Sequence, residues 1–395
     1  MNLRLPEGFL FSSCTAGIKA SGRPDLALAL VPQGASAAAM FTRNQVVAAP
    51  VTVGRENLRR SQGQIHALIV NAGNANCATG APGISAAGKV CREVACILKT
   101  KPTQVFPSST GIIGVPLPVE KIIVAVPNLI ATAQSDPAAL QSFANTILTT
   151  DTRAKIASEE LIHKDNKVAL VGVAKGAGMI HPNMATMLVY LFTDVEATPR
   201  ELQQVLRNAV NQSFNNISID GDTSTNDTVL LLASGKSTVK LKSVHKEFET
   251  ALFSVCRSLA EQIVADGEGV RHVVRLKIEQ ACNATEARQI AGTIANSALV
   301  KTAWAGADPN WGRILAAIGR SGVAINPEKI DIHLGDQQIC RRGMACHFDH
   351  DRAHQYMSQP AYEIRIGLGA GKTSFEFLSC DLTAEYVHIN ADYST

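Results

Sequence analysis

Hydrophobic positions fall into two kinds of run that alternate along the chain. The first kind is short and nearly continuous, and it ends in glycine or asparagine. Ala67-Leu68-Ile69-Val70 leads into Asn71-Ala72-Gly73-Asn74-Ala75-Asn76. Val168-Ala169-Leu170-Val171-Gly172-Val173 leads into Lys175-Gly176-Ala177-Gly178, and Thr228-Val229-Leu230-Leu231-Leu232 follows a polar stretch over 220–227. Apolar runs of this length bounded by turn residues predict buried strands. The second kind has helical period. Ala87, Val90, Cys91, Val94, Ile97 and Leu98 make one stripe over 87–98. Thr198-Pro199-Arg200-Glu201 supplies a cap, a proline at the first helical position and a glutamate three residues after the cap, so a helix opens there. Further helices are predicted over about 246–265 and 286–299. The apolar stretch 121–133 is interrupted by Pro127 and Asn128 and is too short to span a bilayer. Ser135-Asp136-Pro137 reads as a surface loop. Strands and helices mix throughout, which predicts a mixed α/β or α+β fold with no compositional boundary between domains.

Composition narrows the function classes. Hydrophobic residues make up 46% and charged residues 18% of 395 residues, enough for a substantial core in two lobes or one large layered fold. Aromatics are only 5%, so aliphatic side chains do most of the packing. The net charge is +3 with no run of Lys or Arg, which argues against a nucleic-acid or anionic-membrane partner. The first residues lack the apolar core of a secretory signal. Nine scattered cysteines suit free thiols in a reducing cytoplasm. Cys340, Cys346 and His347 lack CxxC spacing and a second cluster, so no metal site is expected.

Three segments carry candidate chemistry. In residues 175–188, a strand ends at Lys175, a Gly-Ala-Gly turn and His181-Pro182-Asn183 follow, and an apolar run begins at Thr186. On spacing alone Thr186 is an ordinary strand threonine. The alternative is a nucleophile whose own freed α-amine is the base, which requires cleavage of the bond after Ala185. Ser108-Ser109-Thr110-Gly111-Ile112-Ile113-Gly114 is either a turn or a source of accessible backbone N–H groups for an oxyanion. The acidic and amide-rich stretch from Asp220 to Asp227, with Asp266-Gly267-Glu268-Gly269, fails the calcium-loop pattern and reads as turn, cap and substrate-contacting residues. Asp308-Pro309-Asn310-Trp311-Gly312-Arg313 reads as a structural corner.

Taken in order, these pieces resemble the ornithine acetyltransferase family, the bifunctional glutamate N-acetyltransferases of arginine biosynthesis. The resemblance runs through Gly17-Ile18-Lys19, residues 71–76, 109–114, Thr149-Thr150-Asp151-Thr152, 175–188, 220–227, 308–313 and the terminal Asn390-Ala391-Asp392-Tyr393-Ser394-Thr395. It implies a layered αββα sandwich like that of N-terminal-nucleophile hydrolases, with its own topology and two lobes. It also implies self-cleavage between Ala185 and Thr186 into an α chain of residues 1–185 and a β chain of residues 186–395, intertwined in one fold and assembling as α2β2.

By the same resemblance, Thr186 is the nucleophile and Thr110 and Gly111 form the oxyanion hole. Thr149, Lys175, Thr186, Glu268, Asn390 and Thr395 bind substrate. The implied reaction moves the acetyl group of N-acetylornithine to glutamate through an acetyl-threonine. It needs no metal or redox cofactor; some members also take acetyl-CoA as a co-substrate, and the motifs do not separate them. Two other readings stay open: a self-processed aminopeptidase or amidase, and a non-catalytic amino-acid-binding protein.

Overall fold

A computed structural model describes residues 3–181 and 187–392. The first eight strands are β1 (Leu10–Cys14), β2 (Leu26–Phe41), β3 (Gln64–Asn74), β4 (Val105–Ile112), β5 (Lys155–His163), β6 (Asn166–Lys175), β7 (Leu188–Thr193) and β8 (Thr228–Ala233). The next six are β9 (Val273–Ala281), β10 (Asp331–Leu334), β11 (Gln337–Arg341), β12 (Met344–Ala345), β13 (Ala361–Gly367) and β14 (Thr373–Cys380). Six helices accompany the first set: α1 (Ala49–Arg60), α2 (Gly80–Leu98), α3 (Val119–Ala131), α4 (Pro137–Thr146), α5 (Pro199–Gln212) and α6 (His245–Ala265). The remainder are α7 (Ala284–Ala295), α8 (Ala298–Ala305), α9 (Trp311–Gly319), α10 (His350–Met357) and α11 (Ala384–Asp392).

The first eight strands form one sheet in the order β4-β3-β2-β8-β7-β6-β5, with β1 also on β2. Strand β2 explains its shape. Its first half pairs with β1 and β3, its register with β3 breaks between Leu30 and Ala35, and its second half pairs with β8. The sheet therefore folds over on itself. Ala27, Ala29, Leu68 and Val70 from one half share a core with Val171, Tyr190, Phe192 and Leu230 from the other. Because side chains alternate faces along a strand, Leu26, Leu28, Ala67 and Ile69 point outward onto α2 and α3. On the opposite side Leu170, Val189, Leu191 and Leu231 pack on α5 and α6. The layering is helix, sheet, sheet, helix, as the resemblance implies. The last six strands form a second sheet, β12-β11-β10-β13-β9-β14, packed on α7 to α10 around Ile290, Trp304, Ile314 and Ile364.

Helix α5 carries the anticipated capping box, with Thr198 and Glu201 each accepting the other's backbone N–H. Two expectations are corrected. The helix over 286–299 is two helices, because Asn296 and Ser297 break it; the Asn296 side chain accepts from Ser218 at 2.6 Å. Strand β3 runs on through residues 71–74, where a polar loop was expected, because these residues still pair with β4. The apolar stretch around Pro127 is helical. Helix α3 continues through the proline and buries Ile122, Val126 and Leu129, which outweighs the roughly 3 kcal/mol an interior proline costs. In the expected loop, Asp136 caps α4 by accepting from the Ala138 and Ala139 N–H groups. Asn310 likewise caps α9 at the corner 308–313. No described helix is long and apolar enough to cross a membrane.

Candidate active site

The site lies where strand ends from the two halves of the folded sheet meet. Strand β4 carries Thr110 and Gly111, and β6 ends at Lys175. The Lys175 ammonium donates to Thr110 Oγ1 at 3.1 Å and so joins the two layers. Thr110, Gly111, Thr149, Lys175, Glu268 and Asn390, from five separate parts of the chain, line a single pocket. Ala185, Thr186 and Thr395 lie outside the described residues.

Lys175 is only 3% exposed. Burial drives its ammonium below the ordinary lysine value; Asp151, Asp227 and Glu268 oppose that and Lys155 adds to it. Thr110 is its one hydrogen-bond partner among the described residues.

The floor of the pocket is built from amides. Asn226 donates to the carbonyls of Ala75 at 2.8 Å and Ser109 at 2.9 Å, fastening the segment before β8 to the ends of β3 and β4. Ser109 donates to Asn71 at 2.6 Å, and Asn71 to the Asn74 carbonyl at 2.8 Å. The asparagine-rich motif at 71–76 is thus largely a brace. Gly111 has φ +131°, and a Cβ there would sit 2.5 Å from the Asn74 nitrogen, so only glycine fits. On the other wall a Cβ at Gly178 would lie 2.5 Å from Glu268 Oε2, so glycine lets that carboxylate lie against the backbone. Asn390 of α11 donates to the same Oε2 at 2.8 Å.

The run 220–227 has a definite task. Asp220 accepts from the backbone N–H groups of Met179 at 2.5 Å and Ile180 at 2.9 Å. Asp227 accepts from Met187 N–H at 2.8 Å. Both flanks of the β6–β7 connection are therefore held by carboxylates of one segment. Asp227 is fully enclosed; burial pushes its carboxyl well above the usual range, against the pull of the Met187 N–H and Lys175.

One cluster was not anticipated. Lys155, on β5, is wholly buried, and its ammonium lies 2.6 Å from both Asp151 and Asp266. Burial alone would raise the Asp151 carboxyl, but Lys175, Lys155 and the Gly176 N–H hold it below the usual carboxylate value. The sequence signal was faint: Asp151 belongs to the quoted Thr149–Thr152 motif, whereas Lys155 looks like any strand lysine and Asp266 like a helix end.

The sequence has known counterparts. The ArgJ family pattern matches residues 10–395. The chain is 43% identical over 394 residues to the arginine biosynthesis bifunctional protein ArgJ of Methylococcus capsulatus, covering 98% of this chain and 95% of that one. It is also 43% identical over 396 residues to the protein of the same name from Thermus thermophilus, covering both chains completely. Among solved structures it is similar to ornithine acetyltransferase from Mycobacterium tuberculosis complexed with ornithine, at 38% identity and a TM-score of 0.42, covering 45% of this chain and 92% of that one. With the family pattern reaching from residue 10 to the last residue, and relatives matched end to end, the chain belongs to the ArgJ family.

Proposed function

We propose that the protein is an ornithine acetyltransferase of arginine biosynthesis, which moves the acetyl group of N-acetylornithine to glutamate. The observation that carries this reading is the convergence of Thr110, Gly111, Thr149, Lys175, Glu268 and Asn390 on one pocket. Its charges suit the substrate. The Lys175 ammonium complements an α-carboxylate, and Glu268 complements the ornithine side-chain ammonium.

In the proposed sequence Thr186 Oγ first attacks the Ala185 carbonyl, and the acyl group moves from nitrogen to oxygen. Water hydrolyses the resulting ester to leave the Ala185 carboxylate, a free hydroxyl and a freed Thr186 amine, which becomes the base for its own hydroxyl. Thr186 Oγ attacks the acetyl carbonyl. Because Thr110 Oγ1 already accepts from Lys175, its own hydrogen is free to donate to the developing oxyanion beside Gly111. Ornithine departs with the proton, leaving acetyl-Thr186. The amine of glutamate attacks that ester, N-acetylglutamate leaves, and the hydroxyl is restored. The steps require no metal or redox cofactor, and acetyl-CoA is proposed as a second acetyl donor, in keeping with the relatives' name. Assembly of the cleaved pairs as α2β2 belongs to the same proposal. A cytoplasmic setting is supported by nine free thiols.

Purified protein incubated with N-acetylornithine and glutamate should yield N-acetylglutamate and ornithine. Free acetate in place of N-acetylglutamate would mean a hydrolase and overturn the reading. Repeating the assay with acetyl-CoA as sole donor decides whether the first acetylation is also catalysed.

A further inference from the structure

We propose that Lys155 is a positioning residue for the acyl transfer: by holding Asp151 and Asp266 together, it keeps Lys175 directed at Thr110 and the pocket. The proposal rests on the functional reading above.

Lys155 touches neither the pocket nor any group assigned to the chemistry, yet each carboxylate it holds fixes a pocket segment. Asp151 accepts from Thr149 N–H at 3.2 Å and from Gly176 N–H at 2.6 Å, so it orders the backbone of one pocket residue and the residue following Lys175. Asp266 accepts from Thr152 N–H at 3.1 Å and also from the Thr152 hydroxyl. It stands two residues before Glu268, whose own N–H is bonded to the Ala177 carbonyl at 2.9 Å. One ammonium thus links the Thr149 segment, the end of β6 and the Glu268 loop.

The charges explain why that ammonium matters to Lys175. Two buried carboxylates face two buried ammonium groups, with the exposed Arg153 guanidinium also 3.9 Å from Asp266, and low-dielectric surroundings penalise any of the buried charges left unpaired. Asp151 is hydrogen-bonded to Lys155, whereas Lys175 feels Asp151 electrostatically but bonds to Thr110. The other titratable groups facing Lys175 are Asp227 before β8, Glu268 after α6 and Lys19 in the segment after β1. Without Lys155, Asp151 would be a buried anion with Lys175 as its nearest counter-ion. Lys175 would turn from Thr110 towards it, and the charge meant for substrate would be spent inside the protein.

The test uses the full protein and two variants, Lys155→Met and Lys155→Met/Asp266→Asn. The double variant restores charge balance, one carboxylate against one ammonium, but leaves Asp151 to Lys175. Three quantities are followed: melting temperature, kcat/KM for N-acetylornithine against pH, and acetic-anhydride labelling of Lys175 against pH by mass spectrometry. In the single variant, melting temperature and kcat/KM should fall, the latter at least tenfold, while the labelling profile of Lys175 moves to higher pH. In the double variant the melting temperature should recover while kcat/KM stays low and the labelling stays displaced. Recovery of kcat/KM together with melting temperature would reduce Lys155 to a structural staple and overturn the proposal. So would an unmoved labelling profile in the double variant, which also serves if the single variant does not fold. If the unaltered protein transfers no acetyl group, the functional reading fails, and the labelling profiles still decide what Lys155 does to Lys175.

Discussion

Lys175 donates to Thr110 across 3.1 Å, although 65 residues separate them and they stand on strands in opposite layers of the folded sheet. A hydroxyl that accepts from an ammonium is a stronger donor through its own hydrogen. Thr110→Ala should therefore lower kcat for acetyl transfer by roughly 10²-fold, the usual loss for one oxyanion donor. Thr110→Ser should keep most of the rate. Equal rates for Thr110→Ala and the unaltered enzyme would remove Thr110 from the oxyanion hole.

The pH profile should report Lys175. Burial lowers its affinity for the proton, so the ammonium is lost at a pH below that of an ordinary lysine. Only the ammonium pairs with a carboxylate, so KM for N-acetylornithine should rise as pH climbs through that lowered value. A KM that stays flat to about pH 10, near the ordinary lysine value, would show that Lys175 does not bind the substrate carboxylate.

Self-cleavage is checked on a denaturing gel. The purified protein should run as two fragments of roughly half the chain, and the larger should begin Thr-Met-Leu. Thr186→Ala should give one full-length band and no turnover. A single full-length band from active protein would rule out a freed Thr186 amine as the base.

Asp227→Asn should stabilise the fold at neutral pH. The Asp227 carboxyl is raised by burial, so the folded state favours its protonated form. The stability this group contributes then declines as pH rises from the unfolded value of about 3.9 through the raised folded value. Asparagine avoids that decline and keeps an oxygen for the Met187 N–H. The variant should melt above the parent at pH 7, with the difference vanishing below about pH 4. A lower melting temperature at pH 7 would mean that Lys175 holds Asp227 ionised.

Gly111→Ala should be more damaging than an ordinary glycine replacement. Its φ of +131° disfavours any side chain, and the added Cβ would press on Gly73 and on the Asn74 nitrogen at 2.5 Å. Left-handed strain alone costs about 1–3 kcal/mol. The variant should melt lower and lose transfer activity; unchanged values would show that β3 and β4 yield easily at this point.

Where a feature follows from local pattern, it was legible in the sequence. The α5 cap at Thr198 and the strand ending at Lys175 are of this kind. The site was legible only through the resemblance, because Thr110, Lys175 and Glu268 are too far apart for spacing to relate them. The 16-residue strand β2 escaped notice because its alanine-rich second half carries little apolar contrast. Lys155 escaped because lysine is almost always solvated, and nothing local reveals that two carboxylates await it. Asn296 ends a helix through a bond to Ser218, a contact no periodicity records.

The order of the folded sheet sets a condition on how the protein is made. Strands β7 and β8 occupy a slot, with β8 on β2 and β7 on β6, both from the chain before residue 186. Residues 1–185 by themselves would leave that slot empty, with the second half of β2 and the whole of β6 as raw edges inviting other chains to pair. The segments before and after residue 186 therefore belong to one continuous act of folding, and halves produced separately should aggregate sooner than find each other.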